Sequence, residues 1–152
     1  MRINISALIL AWLAVSACGG GGGSDTTTPL PGPYQLTFSL DASFQADHGN
    51  QPISIAVVRS SDMVVVAGDN GIVSATQNPS FSFDAGPVLE RGTAYEVHYW
   101  IDSNIGGGTI GVCDPIAIDH QWSVELPSPT NDVDFTVPYQ PALTEDVCST
   151  FN

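Results

Sequence analysis

From Tyr34 onward the apolar residues fall on every second position. Tyr34, Leu36, Phe38 and Leu40 alternate with Gln35, Thr37, Ser39 and Asp41, which is the pattern of a strand with one buried face. Residues 42–51 form a polar turn containing His48. The β-branched runs 53–59 (ISIAVVR) and 63–67 (MVVVA) are separated by Ser60-Ser61-Asp62, so they are predicted to pair as a hairpin. Asp69-Asn70-Gly71 is a tight-turn signal, because Asn and Gly accept positive φ, and 72–76 is read as the returning strand. Asn78-Pro79 breaks that run, and 80–84 carries Phe81 and Phe83 on one face. Further alternation marks 95–101, 120–126 (HQWSVEL) and 133–139 (VDFTVPY). Helical periodicity is not sustained anywhere and no internal repeat is visible. Short strands every 8–12 residues, separated by turn signals, predict an all-β sandwich or barrel.

The corner before Tyr95 narrows that class. Leu89-Glu90-Arg91-Gly92-Thr93-Ala94-Tyr95 has the spacing Leu-x-x-Gly-x-x-Tyr and is followed by alternation. It resembles the tyrosine corner of Greek-key, immunoglobulin-like sandwiches, especially fibronectin type III domains. The resemblance implies that the Tyr95 hydroxyl bonds to the chain just upstream, with Leu89 and Gly92 shaping the corner. Val97, Tyr99 and Ile101 then face the core. Two strands follow this one where the fibronectin pattern has one, which leaves a transthyretin-like sandwich open. The expected domain is a Greek-key β-sandwich of about seven to eight strands spanning residues 34–139, with a tail at 140–152.

The first 33 residues follow a different rule. Arg2 precedes a brief apolar run at 7–15 (ALILAWLAV), too short to span a bilayer, which takes about 20 residues as a helix. It reads as a signal peptide over residues 1–17. Val15-Ser16-Ala17-Cys18 resembles the lipobox of bacterial lipoproteins, in which the Cys becomes the first mature residue and carries the acyl chains. That resemblance implies lipidation of Cys18 and a membrane partner through the anchor. Two or more chains hold a protein stably at a bilayer. By the same resemblance, Gly19 in place of Asp after the Cys implies sorting to the outer membrane of the cell envelope. Residues 19–33 (GGGGGSDTTTPLPGP) have almost nothing to bury and are read as a flexible tether.

Charge excludes one class of partner. The chain has 16 acidic residues against three Lys or Arg, a formal net charge of −13, and Arg2, Arg59 and Arg91 are its only cations apart from histidine. Such a surface repels nucleic acid and anionic headgroups and keeps a tethered domain soluble. With Cys18 assigned to lipid, Cys113 and Cys148 are an even remainder in an oxidising compartment and are expected to form a disulfide. A free or metal-bound pair is the alternative. The bridge would close a loop of about 36 residues, worth roughly 4 kcal/mol in the chain-entropy model.

Candidate chemistry gathers in the Gly- and Asp-rich segment after the Tyr95 strand. Asp102-Ser103-Asn104-Ile105-Gly106-Gly107 begins like an Asp-x-Asn-x-Asp-Gly loop, and Asp114 and Asp119 follow. Calcium takes six to eight oxygens from flexible loops of this kind. Here the third ligand position is Gly106 and the twelfth is Cys113, so the match is partial, and Asp or Asn before Gly is also plain turn chemistry. His98 shares an outward face with Glu96 and Trp100. With His120 opening the next strand, these residues suggest a zinc or copper site, a metal enzyme or a copper carrier. Trp100, outward beside His98, could stack on a glycan or anchor an envelope protein, unless the loop or the tail covers it. No Gly-x-Ser-x-Gly elbow, His-Glu-x-x-His motif or free nucleophilic Cys occurs, so catalysis is not expected. The expectation is therefore a non-catalytic lipoprotein presenting a binding or structural module. The alternative is a ligand-binding module taking calcium or carbohydrate at residues 102–119.

Overall fold

The computed structural model describes residues 32–152. The leader, Cys18 and all of the tether before Gly32 lie outside the described residues. Seven strands build two facing sheets: β1 (Tyr34–Leu40), β2 (Pro52–Arg59), β3 (Val64–Ile72), β4 (Phe81–Leu89), β5 (Tyr95–Ile101), β6 (His120–Leu126) and β7 (Val133–Val137). One sheet has the order β4-β1-β7 and the other β3-β2-β5-β6. The all-β sandwich expected from the alternation is the fold found.

Each inner face carries the apolar half of its strands. Leu36, Phe38 and Leu40 of β1 and Val97, Tyr99 and Ile101 of β5 are fully or almost fully buried. They meet across the sheet interface, where Phe38 and Tyr99 have ring centroids 5.1 Å apart. Tyr99 stacks on Trp122 of β6 at 5.1 Å, so Trp122 belongs to the core, as its register with Val124 and Leu126 implied. The tyrosine corner is formed: the Glu90 amide donates to Tyr95 Oη at 2.9 Å. Gly92 lies at φ +80°, where a side chain would be strained.

One feature departs from the sequence reading. Asp69-Asn70-Gly71 is not a turn. It lies within β3 and pairs with Ile55, Ser54 and Ile53 of β2, so the separate strand expected over 72–76 does not form. The glycines in this strand permit close approach rather than chain reversal. A Cβ on Gly68 would meet Ile55 O at 2.9 Å, and one on Gly71 would meet the Phe81 ring at 2.6 Å. The extra strand after β6 crosses to the opposite sheet. β7 pairs with β1 in parallel, from Leu36↔Val133 to Leu40↔Val137.

The two ends of the sandwich are distinct. Tyr34 pairs with Leu89 near the Tyr95 corner, so the chain enters at that end. At the opposite end, Ile101 pairs with His120 and the 102–119 segment joins them. A short helix, α1 (Gln45–His48), follows a 3-10 turn (Ala42–Phe44) capped by Asp41, whose carboxylate accepts from the Ser43 amide at 2.8 Å.

Candidate functional site

The 102–119 loop is held by its own carboxylates. Asp119 is fully buried and accepts from three amides: Ser103 and Asn104 at 3.0 and 3.1 Å through Oδ1, and Asp114 at 3.0 Å through Oδ2. Asp102, also buried, takes the Gly111 amide at 2.8 Å and the Asn104 side-chain amide. Asp114 takes the Thr109 amide. Gly108 has no room for a side chain, because a Cβ would lie 2.5 Å from Asn104 Oδ1 and 2.7 Å from Asp114 Oδ2. Asp102, Asn104, Asp114 and Asp119 are thus brought together, but as acceptors for backbone N–H groups. Among the described residues, no three His, Cys, Asp or Glu side chains cluster closely enough to hold a metal ion. In this arrangement the oxygens expected to meet a cation accept hydrogen bonds from the loop that presents them.

Outside this lattice the loop is apolar. Ile105, Ile110 and Val112 are exposed, Ile110 by 85%. The same loop holds Cys113, bonded to Cys148 with the Cα atoms 5.3 Å apart. Gln121 of β6 completes the attachment of the C-terminal tail. Its Nε2 donates to Asp114 O at 2.7 Å, its Oε1 accepts from the Val147 amide at 2.9 Å, and its carbonyl accepts from the Glu145 amide at 3.0 Å. Gln121 is fully buried, and nothing in its local sequence sets it apart.

The clipped tail covers the outer face of β5. His98 and Trp100, read from the sequence as an outward ligand patch, are 4% and 5% exposed. Thr150 Oγ1 lies 2.7 Å from His98 Nδ1, Glu96 Oε2 lies 3.0 Å from His98 Nε2, and Phe151 packs edge-on against Trp100. A sugar or partner therefore finds no stacking surface at Trp100 while the tail is docked. The buried Trp100 Nε1 and Asn104 Oδ1 have no hydrogen-bond partner among the described residues.

The pairing of His98 with His120 is corrected by the register. His98 pairs with Ser123 and points outward, whereas His120 pairs with Ile101 and shares the inner face. His120 meets His48 of α1 instead, with His120 Nδ1 3.0 Å from His48 Nε2. Gln51 Oε1 lies 2.7 Å from His48 Nδ1, and Tyr139 Oη lies 3.4 Å from His120 Nδ1. Burial lowers the pKa of both imidazoles below 6.5, partly offset for each by the Asp47 carboxylate. This cluster escaped sequence reasoning because His48 and His120 stand 72 positions apart, in a turn and at a strand start.

No protein family, curated protein or solved structure matches this chain.

Proposed function

We propose that this protein is a lipid-anchored module of the bacterial cell envelope, sorted to the outer membrane, which presents a non-catalytic binding or structural domain on a short tether. The observation that carries the reading is the use of its cysteines. Cys113 and Cys148 bond to each other, which fits an oxidising compartment and leaves Cys18 alone at the end of an apolar leader, in a lipobox-like context. The placement of the ends supports display. Tyr34 begins β1 at one end of the sandwich, and the loop bearing the exposed Ile105, Ile110 and Val112 joins β5 to β6 at the other. Exposed apolar loop residues of this kind favour contact with an envelope protein over an anionic polymer, which the charge of −13 would repel.

Expression of the full chain in a Gram-negative host with labelled palmitate tests this. Wild type should take up label and fractionate with outer membranes, whereas Cys18→Ser should lose the label and become soluble. Retention of the Ser variant in membranes would refute the anchor.

A further inference from the structure

We propose that the free edge of β6 is a docking site for an extended peptide of another protein, one that alternates basic and branched aliphatic residues. The bonding pattern shows which groups that edge offers. The Asp102 amide donates to the Pro52 carbonyl at 3.0 Å, which fixes the alternation across β2, β5 and β6. His120, Trp122, Val124 and Leu126 turn their main-chain groups toward β5, and Gln121, Ser123 and Glu125 turn theirs outward. The Glu145 amide bonds the Gln121 carbonyl at 3.0 Å, in keeping with that direction. The tail goes no further along the edge. The main-chain groups of Ser123 and Glu125 have no partner among the described residues. Unpaired N–H and C=O groups in a row are the template that an added strand reads.

A slot of about 100 Å³ opens beside these groups, between β6 and the segment that follows β7. Its walls are Tyr99, Trp122, Val124, Val137, Pro138 and Leu143. At about 30 Å³ per water, it has the room of about three waters, which suits one branched aliphatic side chain. In an antiparallel added strand, the residue opposite Val124 points to the inner face and into the slot. Those opposite Ser123 and Glu125 point to the outer face. That side is acidic: Glu125 and Glu145 are exposed, and residues 120–152 carry five acidic side chains and no Lys or Arg. A basic residue opposite Glu125 therefore gains a cross-strand pair of opposite charge. The same charge opposes a second copy as the occupant, since each chain carries a formal −13. This edge is separate from the loop bearing Ile105, Ile110 and Val112, and its use does not depend on the lipid anchor.

The test follows the fluorescence anisotropy of a short labelled peptide, with Arg and Leu at alternate positions, titrated with the full chain in detergent. Binding tighter than about 0.1 mM is expected. The same peptide N-methylated on the residues that face β6 should lose it, because its main-chain donors are gone. Ser123→Pro removes an outward N–H, a change that edge strands tolerate, and should weaken binding about ten-fold. Leu143→Ser trims an exposed wall of the slot and should weaken it about four-fold, the worth of one buried methylene. Val65→Ser, the matching change beside the edge of β3, should bind as wild type does. Equal binding of the N-methylated peptide, equal binding of a peptide with Glu in place of Arg, or greater weakening by Val65→Ser than by Leu143→Ser would overturn the site. So would a peptide-free dimer on size-exclusion chromatography that Ser123→Pro disperses, since the edge would then belong to a second copy. If Ser123→Pro fails to fold by circular dichroism, the N-methylated peptide on wild type decides the question.

Discussion

Single side chains on this protein act mainly by occupying backbone groups that would otherwise be stranded. Tyr95 is the clearest case, since its hydroxyl takes the Glu90 amide at the crossover between sheets. Tyr95→Phe keeps the ring and removes the acceptor, and should lower unfolding free energy by about 1–3 kcal/mol in chemical denaturation. An unchanged midpoint would mean that the corner is held by packing alone. Asp119 does the same work three times, for Ser103, Asn104 and Asp114. Asp119→Ala should cost about 3 kcal/mol or more and Asp119→Asn less, because the amide keeps one acceptor. Equal losses in the two variants would show that bulk, not acceptor capacity, matters there. Both positions were singled out by sequence, Tyr95 through its spacing and Asp119 through its acidity. Only Tyr95 carried its role in that spacing, since an Asp in a Gly-rich loop reads alike whether it holds a cation or an amide.

At the scale of elements, the alternation identified the strands but could not say where β3 ends. Asp69-Asn70-Gly71 has the chemistry of a turn, yet pairing with β2 and close approach of the Phe81 ring and Ile55 carbonyl make it strand. Gly68→Ala should therefore destabilise by about 1–3 kcal/mol through overpacking against backbone. A true exposed loop glycine at negative φ would instead gain from alanine, so the sign of the change in melting temperature is diagnostic. The tail is the other element whose role emerges late. Cys113→Ala with Cys148→Ala should cost roughly 4 kcal/mol in the chain-entropy picture. It should also loosen the tail from His98 and Trp100, giving a red-shifted tryptophan emission that the Tyr95 variant lacks.

For the molecule as a whole, the end-to-end arrangement and the acid response are the properties that follow from assembly. His48 and His120 are neutral in the fold, with burial as the main cause of their lowered pKa and the proximity of His120 adding to it for His48, while Asp47 opposes it for both and Asp119 for His120. The folded state then binds fewer protons than an unfolded chain with imidazoles near 6.5. Their contribution is whole above about pH 6.5 and declines as pH falls through the folded values. The protein should accordingly lose melting temperature between neutral pH and about pH 5, and His120→Gln should flatten part of that slope. A slope unchanged by the variant would remove His120 from the account.

What the chain determined by itself is what depends on near neighbours: period-two alternation, the Leu-x-x-Gly-x-x-Tyr corner and the hairpin between β2 and β3. These rest on local sterics and on which face of a strand is apolar, and both are written in adjacent residues. Tertiary structure decided what depends on register and on coverage. A shift of one residue moves a side chain to the opposite face, and so the pairing of Ile101 with His120 sent His120 inward to His48 and away from His98. Coverage is equally non-local: Trp100 is outward on its strand and still buried, because a disulfide 35 residues long in sequence lays the tail across it.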